Sequence, residues 1–181
     1  MIRKSLGALA LAGMILAAAV PAASAASVVV PPSRSSDSIV GIAVANGGFT
    51  TLVAAVGCAD PAVAAALTSG RQLTVFAPTD AAFGKLNLNA GNICGAFSRA
   101  TLTGILLYHV ETGRHFSNSV LPKMAGQVKT IDTLLGQSFM VSSTGTITTT
   151  SGATTPHIVA ANIPATNGVI HVVDAVLVPS L

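Results

Sequence analysis

Residues 74–83 read Thr74-Val75-Phe76-Ala77-Pro78-Thr79-Asp80-Ala81-Ala82-Phe83, an apolar run that stops at a proline and restarts as a helix. Leu73 to Ala77 is short, apolar and rich in residues that favour extended backbone, which predicts a central strand. Pro78 has no N–H to give a sheet ladder and ends the strand. Thr79 is placed as an N-cap, its hydroxyl free to accept a first-turn N–H. Asp80 follows where the helix macrodipole favours a negative charge. Phe83 points from that first turn back onto the strand.

Upstream, Ile39, Ile42, Ala43, Phe49, Leu52, Val53 and Val56 recur at helical spacing, interrupted by Asn46-Gly47-Gly48. This predicts two short helices, the first capped by Ser38 and the second running from Phe49 to Val56. Asp60-Pro61 predicts the cap and first position of a third helix, Pro61 to Leu67. Downstream, Asn87 to Gly95 reads as a loop. Ser98 to Leu107 reads as a helix leading directly into a strand at Tyr108-His109-Val110. From Thr112 the helical period ends and Gly, Ser and Thr multiply. Short strands are predicted at Val128 to Ile131, Phe139 to Ser142, Ile147 to Thr150 and Ile158 to Asn162, with a hairpin connection at Ser143-Thr144-Gly145. The segment Asn167 to Pro179 predicts two more, Val169 to Val173 and Ala175 to Val178. Being almost wholly apolar, Leu73–Ala77 and Val169–Val178 are expected as neighbours at the centre.

Three of these segments, in this order, resemble the signature boxes of fasciclin-like (FAS1) domains. They are residues 74–83, Leu106-Leu107-Tyr108-His109-Val110, and Asn167-Gly168-Val169-Ile170-His171-Val172-Val173-Asp174-Ala175-Val176-Leu177-Val178-Pro179. The resemblance implies an α+β fold, a wedge-like β-sandwich core packed against several short helices, over residues 38–181. It marks Thr74, Phe76, Pro78, Thr79, Asp80, Phe83, Asn167, Gly168, His171 and Asp174 as structural positions. It implies adhesion or extracellular interaction without catalysis. In animal matrix proteins of this family the segment around a Tyr-His pair is implicated in integrin-mediated adhesion, which makes Tyr108 and His109 a candidate adhesion strand. The competing reading packs the Tyr108 ring in the core with its hydroxyl on a neighbour. No Arg-Gly-Asp occurs in the chain.

The N-terminal stretch has Arg3 and Lys4, an apolar run from Leu6 to Val20, a break at Pro21 and the small-x-small pattern Ala23-Ser24-Ala25. This predicts a secretory signal peptide over residues 1–25. Residues 26–37, with Pro31-Pro32 and little to bury, are expected as a flexible lead-in. The simple leader and single domain look bacterial, and the expected location is secreted or periplasmic. Of 9 basic and 6 acidic residues, two basic ones belong to the leader, so the exported chain is nearly neutral. No basic cluster remains, which argues against a nucleic-acid partner. No stretch beyond the leader is apolar enough for stable membrane insertion.

Cys58 and Cys94 are the two cysteines. In an oxidising compartment they are expected to pair, the alternative being two separately buried thiols. Neither a Gly-x-Ser-x-Gly elbow nor His-Glu-x-x-His nor Cys-x-x-Cys occurs, and the scattered acidic residues give no paired-carboxylate signature. No catalytic residue, metal ligand or cofactor is therefore expected. His109 and His171 lie in apolar boxes and read as buried neutral imidazoles, held by a carbonyl, a hydroxyl or a carboxylate such as Asp80 or Asp174. The functional expectation is a non-catalytic module that binds a protein or glycan at a cell surface, in a matrix or on a host, with a weak homotypic contact as a further mode. The alternative is a carrier or sensor of a small apolar ligand, which the 51% hydrophobic content permits.

Overall fold

The computed structural model describes residues 37–180. The expected signal peptide, and the lead-in as far as residue 36, lie outside them. Among the described residues three helices come first, α1 (Ile39–Ala45), α2 (Thr50–Cys58) and α3 (Pro61–Thr68). Strand β1 (Leu73–Pro78) follows, then α4 (Asp80–Gly84), α5 (Ile93–Ala96) and α6 (Arg99–Tyr108). After β2 (Val110–Thr112) and α7 (Ser117–Val120) come β3 (Val128–Asp132), β4 (Ser138–Ser142), β5 (Ile147–Thr148), β6 (Ile158–Ala165) and β7 (Gly168–Val173). Local sequence sets several helix starts. Ser38 accepts from Gly41 N–H, Asp60 from Ala62, Thr79 from Ala82 and Ser98 from Thr101, each satisfying a first-turn donor.

The strands form two sheets, one in the order β2-β1-β7-β6 and one in the order β3-β4-β5. At the centre of the first, β1 runs parallel to β7, Leu73 opposite Gly168 through Pro78 opposite Val173. The flanking β2 and β6 are antiparallel to their neighbours. All six residues of β1 and of β7 are buried, as central strands covered on both faces must be. Alternation then divides them. Leu73, Val75, Ala77, Ile170 and Val172 join the core shared with α1, α2, α3 and α6. Phe76 and Val173 join a second core with Tyr108, Ile131, Phe139, Val141 and Ile147, under the second sheet. The result is α+β, with helices on one face of the first sheet and the smaller sheet on the other.

Gly168 allows the central strands to meet. A Cβ there would lie 1.9 Å from the Leu73 carbonyl oxygen and 2.9 Å from Ile39 Cδ1. Cys58 and Cys94 are bridged, with Cα atoms 5.5 Å apart and a sequence separation of 36. Such a bridge contributes about 3–4 kcal/mol in the chain-entropy model.

Three expectations are corrected. Cys94 belongs to the short helix α5 rather than to a loop. Tyr108 is the last residue of α6 and His109 its C-cap, so the pair forms a helix end and not a strand; β2 starts at Val110. Ala175 to Val178 forms no strand: the Val176 and Val178 carbonyls accept from the hydroxyls of Thr154 and Ser151, and the Leu177 N–H donates to His109. Side chains occupy the groups that a ladder would have used.

Replacing Gly168 by Ala is expected to destabilise the protein by at least about 3 kcal/mol, because rigid backbone has to move. Urea unfolding checks this; a loss under about 1 kcal/mol would mean the β1–β7 pairing yields easily.

Candidate functional site

The Tyr108–His109 pair is the candidate that the signature boxes single out, and its two side chains go in different directions. Tyr108 is fully buried. Its hydroxyl donates to the Ser138 carbonyl at 3.1 Å and accepts from Thr150 N–H at 3.2 Å. The ring meets Phe139 edge to face, with centroids 5.7 Å apart. It thus fastens the end of α6 to β4 and to the loop after β5.

His109 reaches the C-terminal segment. Its Nδ1 lies 2.7 Å from the Ile105 carbonyl oxygen and its Nε2 lies 3.0 Å from Leu177 N. A carbonyl can only accept and an amide N–H can only donate, so Nδ1 carries the proton and Nε2 is bare. Burial pushes the imidazole pKa down to about 4, against the opposing pull of the Ile105 carbonyl. This neutral, doubly bonded imidazole has neither a free lone pair nor a mobile proton for catalysis. His171 stacks on Phe76, with centroids 5.5 Å apart, and its Nε2 donates to the His115 carbonyl at 2.9 Å. Burial lowers its pKa too, the bond to His115 acting in the other direction. The partners of both histidines are backbone groups, not Asp80 or Asp174.

Asp80 serves a helix other than its own. Its Oδ1 accepts from Thr51 N–H at 2.7 Å, and its Oδ2 accepts from Thr50 N–H at 3.1 Å and the Thr50 hydroxyl at 2.7 Å. Asp80 N–H returns a bond to the Gly48 carbonyl at 2.9 Å. The N-cap position of α2 is Phe49, which has no side-chain acceptor; Asp80 supplies the cap from 30 residues away. Partial burial acts to raise the Asp80 pKa, and the bonds from Thr51 and Thr50 overcome it, holding the carboxyl below its usual range. A helix start without a capping side chain was the signal available in the sequence; its partner was not.

The remaining box residues act similarly. Asn167 accepts from Ile39 N–H and donates to the Leu67 carbonyl, tying α1 to the end of α3. Thr74 donates to the Gly113 carbonyl and accepts from His115 N–H. Asp174 accepts from His157 N–H at 2.7 Å and pairs with Lys85 at 3.3 Å. Pro78 ends β1 opposite Val173, and Phe83 is buried against the helical core. The boxes are therefore brought together by the first sheet, but as clamps and packing rather than as a shared cleft. Among the described residues, no three His, Cys, Asp or Glu side chains stand where they could hold a metal ion, and no helix is long and apolar enough to cross a membrane.

These layers and internal clamps define a domain of the FAS1 type. The fasciclin domain model matches residues 47–179, and the chain belongs to that family. The Synechocystis protein sll1483 is 33% identical over 150 residues, spanning 79% of this chain and 74% of that protein. Immunogenic protein MPB70 of Mycobacterium bovis is 36% identical over 137 residues, spanning 74% of this chain and 65% of that protein. Among solved structures, a FAS1 domain pair from the insect cell adhesion molecule Fasciclin I superposes with a TM-score of 0.55 at 20% identity. That match covers 74% of this chain and 46% of the pair, and it is a likeness of fold.

Asp80→Ala is expected to cost ~1–2 kcal/mol at neutral pH, the cost of losing a cap that serves two backbone donors. Because the folded-state pKa is depressed, this stabilisation is present above the ordinary carboxylate pKa near 3.9 and disappears as the pH falls below it. Denaturant melts of wild type and variant should therefore converge in acid, and a constant gap would contradict the assignment. His109 gives a separate window. The unfolded imidazole takes up a proton near 6.5 and the folded one near 4, so stability declines as the pH falls from the first value to the second. His109→Gln should flatten that part of the stability curve, and an unchanged slope would place the proton uptake elsewhere.

Proposed function

We propose that the chain is a secreted or periplasmic interaction module that binds a protein or glycan at a cell surface, in a matrix or on a host, without catalysing a reaction. The observation that carries this reading is where the signature polar groups go. Tyr108, His109, Asp80, Asn167 and Thr74 all bond to backbone or hydroxyl groups within the fold. The signature builds a rigid scaffold, and recognition falls to side chains on its outside.

The outer face of the second sheet is the surface that this scaffold holds out. Val128, Thr130, Met140 and Thr148 are exposed there, with Thr130 opposite Met140 and Met140 opposite Thr148. Val128 is 59% and Met140 42% exposed. The face combines apolar and hydroxyl side chains with one carboxylate, Asp132 opposite Ser138, which suits a polypeptide or glycan better than a polyanion. The Tyr-His pair supports it from inside: the Tyr108 hydroxyl fixes Ser138, where β4 begins. The mycobacterial relative MPB70 is an immunogenic protein, which fits a family member met outside the cell.

A surface coated with the purified domain is expected to retain the cells that produce it. Met140→Glu, a surface change that leaves the melting curve intact, should reduce retention severalfold. Tyr108→Phe, which keeps the ring and loses the hydroxyl, should reduce it less. Absence of retention by the wild-type domain would overturn the reading, as would substrate turnover abolished by a single substitution.

A further inference from the structure

We infer that the helical side of the fold contains a binding site for a small, uncharged, apolar molecule: a cavity between α1, α2, α6 and β1. Its volume is about 70 Å³. Val40 and Ala43 of α1, Val53 and Val56 of α2, Val75 of β1 and Leu106 of α6 line it. Val40, Ala43, Val53 and Val56 are each only partly buried, so the cavity reaches the surface between the first two helices.

The chemistry of the wall selects the occupant. Among the described residues, the one polar side chain in the lining is that of His109. Both of its ring nitrogens are already bonded, to the Ile105 carbonyl and to Leu177 N–H. Among the described residues, no side chain of the wall offers a free donor, acceptor or charge. A trapped water needs two to four polar partners, so water is a poor occupant. A charged ligand would lose its hydration with nothing in return. One water needs about 10–15 Å³, so the space has the volume of several waters. That is enough for a single hydrocarbon ring or a short alkyl end, entered through the gap between α1 and α2.

This site does not depend on the adhesion reading. It lies on the helical face of the first sheet, whereas the proposed contact surface belongs to the second sheet on the opposite face. It gives the second functional expectation, a carrier or sensor of a small apolar ligand, a location and a ligand class.

Methyl NMR of the purified protein, titrated with benzene and with benzoate as its charged counterpart, tests the inference. Benzene should produce saturable shifts confined to the methyls of Val40, Val53, Val56, Val75 and Leu106, and benzoate should produce none. Ala43→Leu places a larger side chain in the space from a helical position that tolerates leucine. It should weaken benzene binding by at least roughly tenfold, with an unchanged or higher melting temperature and unaltered adhesion to cells. If that variant fails to fold, Val56→Leu narrows the same space and should weaken binding in the same direction. Non-saturable shifts, equal binding of benzoate, unweakened binding by a folded cavity-filling variant, or shifts centred on Val120, Ile131 and Val141 of the second core would each overturn the site.

Discussion

The parallel pairing of β1 with β7 is the constraint on which the other layers depend. It joins segments far apart in sequence, Leu73 opposite Gly168 and Pro78 opposite Val173. Both strands are buried along their whole length, so each must be covered on two faces. The helices cover one face and the second sheet covers the other. The residues between β1 and β7 form one long excursion, and its closure is an entropic cost met by burial. The contact also has a strict steric condition, since the Leu73 carbonyl occupies the space in which any side chain at residue 168 would begin.

Around this pairing the polar residues act as ties between elements that are not neighbours in sequence. Asp80 caps α2 from the start of α4, Asn167 joins α1 to α3, and Tyr108 and His109 bind the second sheet and the C-terminal segment to the end of α6. Each is partly or fully buried, where an unmet hydrogen bond would be costly. The arrangement therefore favours one packing of the layers over its near alternatives. It also explains why a signature can be chemically rich without being catalytic: the polar atoms of Asp80, Asn167, Tyr108 and His109 already bond within the fold.

What was legible in the sequence follows the range of each interaction. The caps at Ser38, Asp60 and Thr79 are local, and each forms as read, while Ser98, read as the first residue of its helix, caps it instead. The β1 and β7 runs declare central strands through almost wholly apolar content, and their adjacency follows from it. Tyr108 was misread because β-favouring residues at a helix end look like a strand start; its place is decided by the reach of its hydroxyl to Ser138 and Thr150. Ala175–Val178 has the composition of a strand, but Ser151, Thr154 and His109 take up its backbone groups. The Asp80 site was half legible, since Phe49 leaves α2 without a cap of its own. The apolar cavity could be anticipated only as a permissive composition, because a void is a property of packing and not of any one residue.

Native-state hydrogen exchange under increasing denaturant tests the central role of the β1–β7 pairing most directly. The account predicts that the β1 and β7 ladder amides exchange only with global unfolding, while amides of α1–α3 and the second sheet open earlier. Exchange of the β1 and β7 amides through a lower-energy opening, with α1–α3 still protected, would show that the helices hold the domain together and would contradict it.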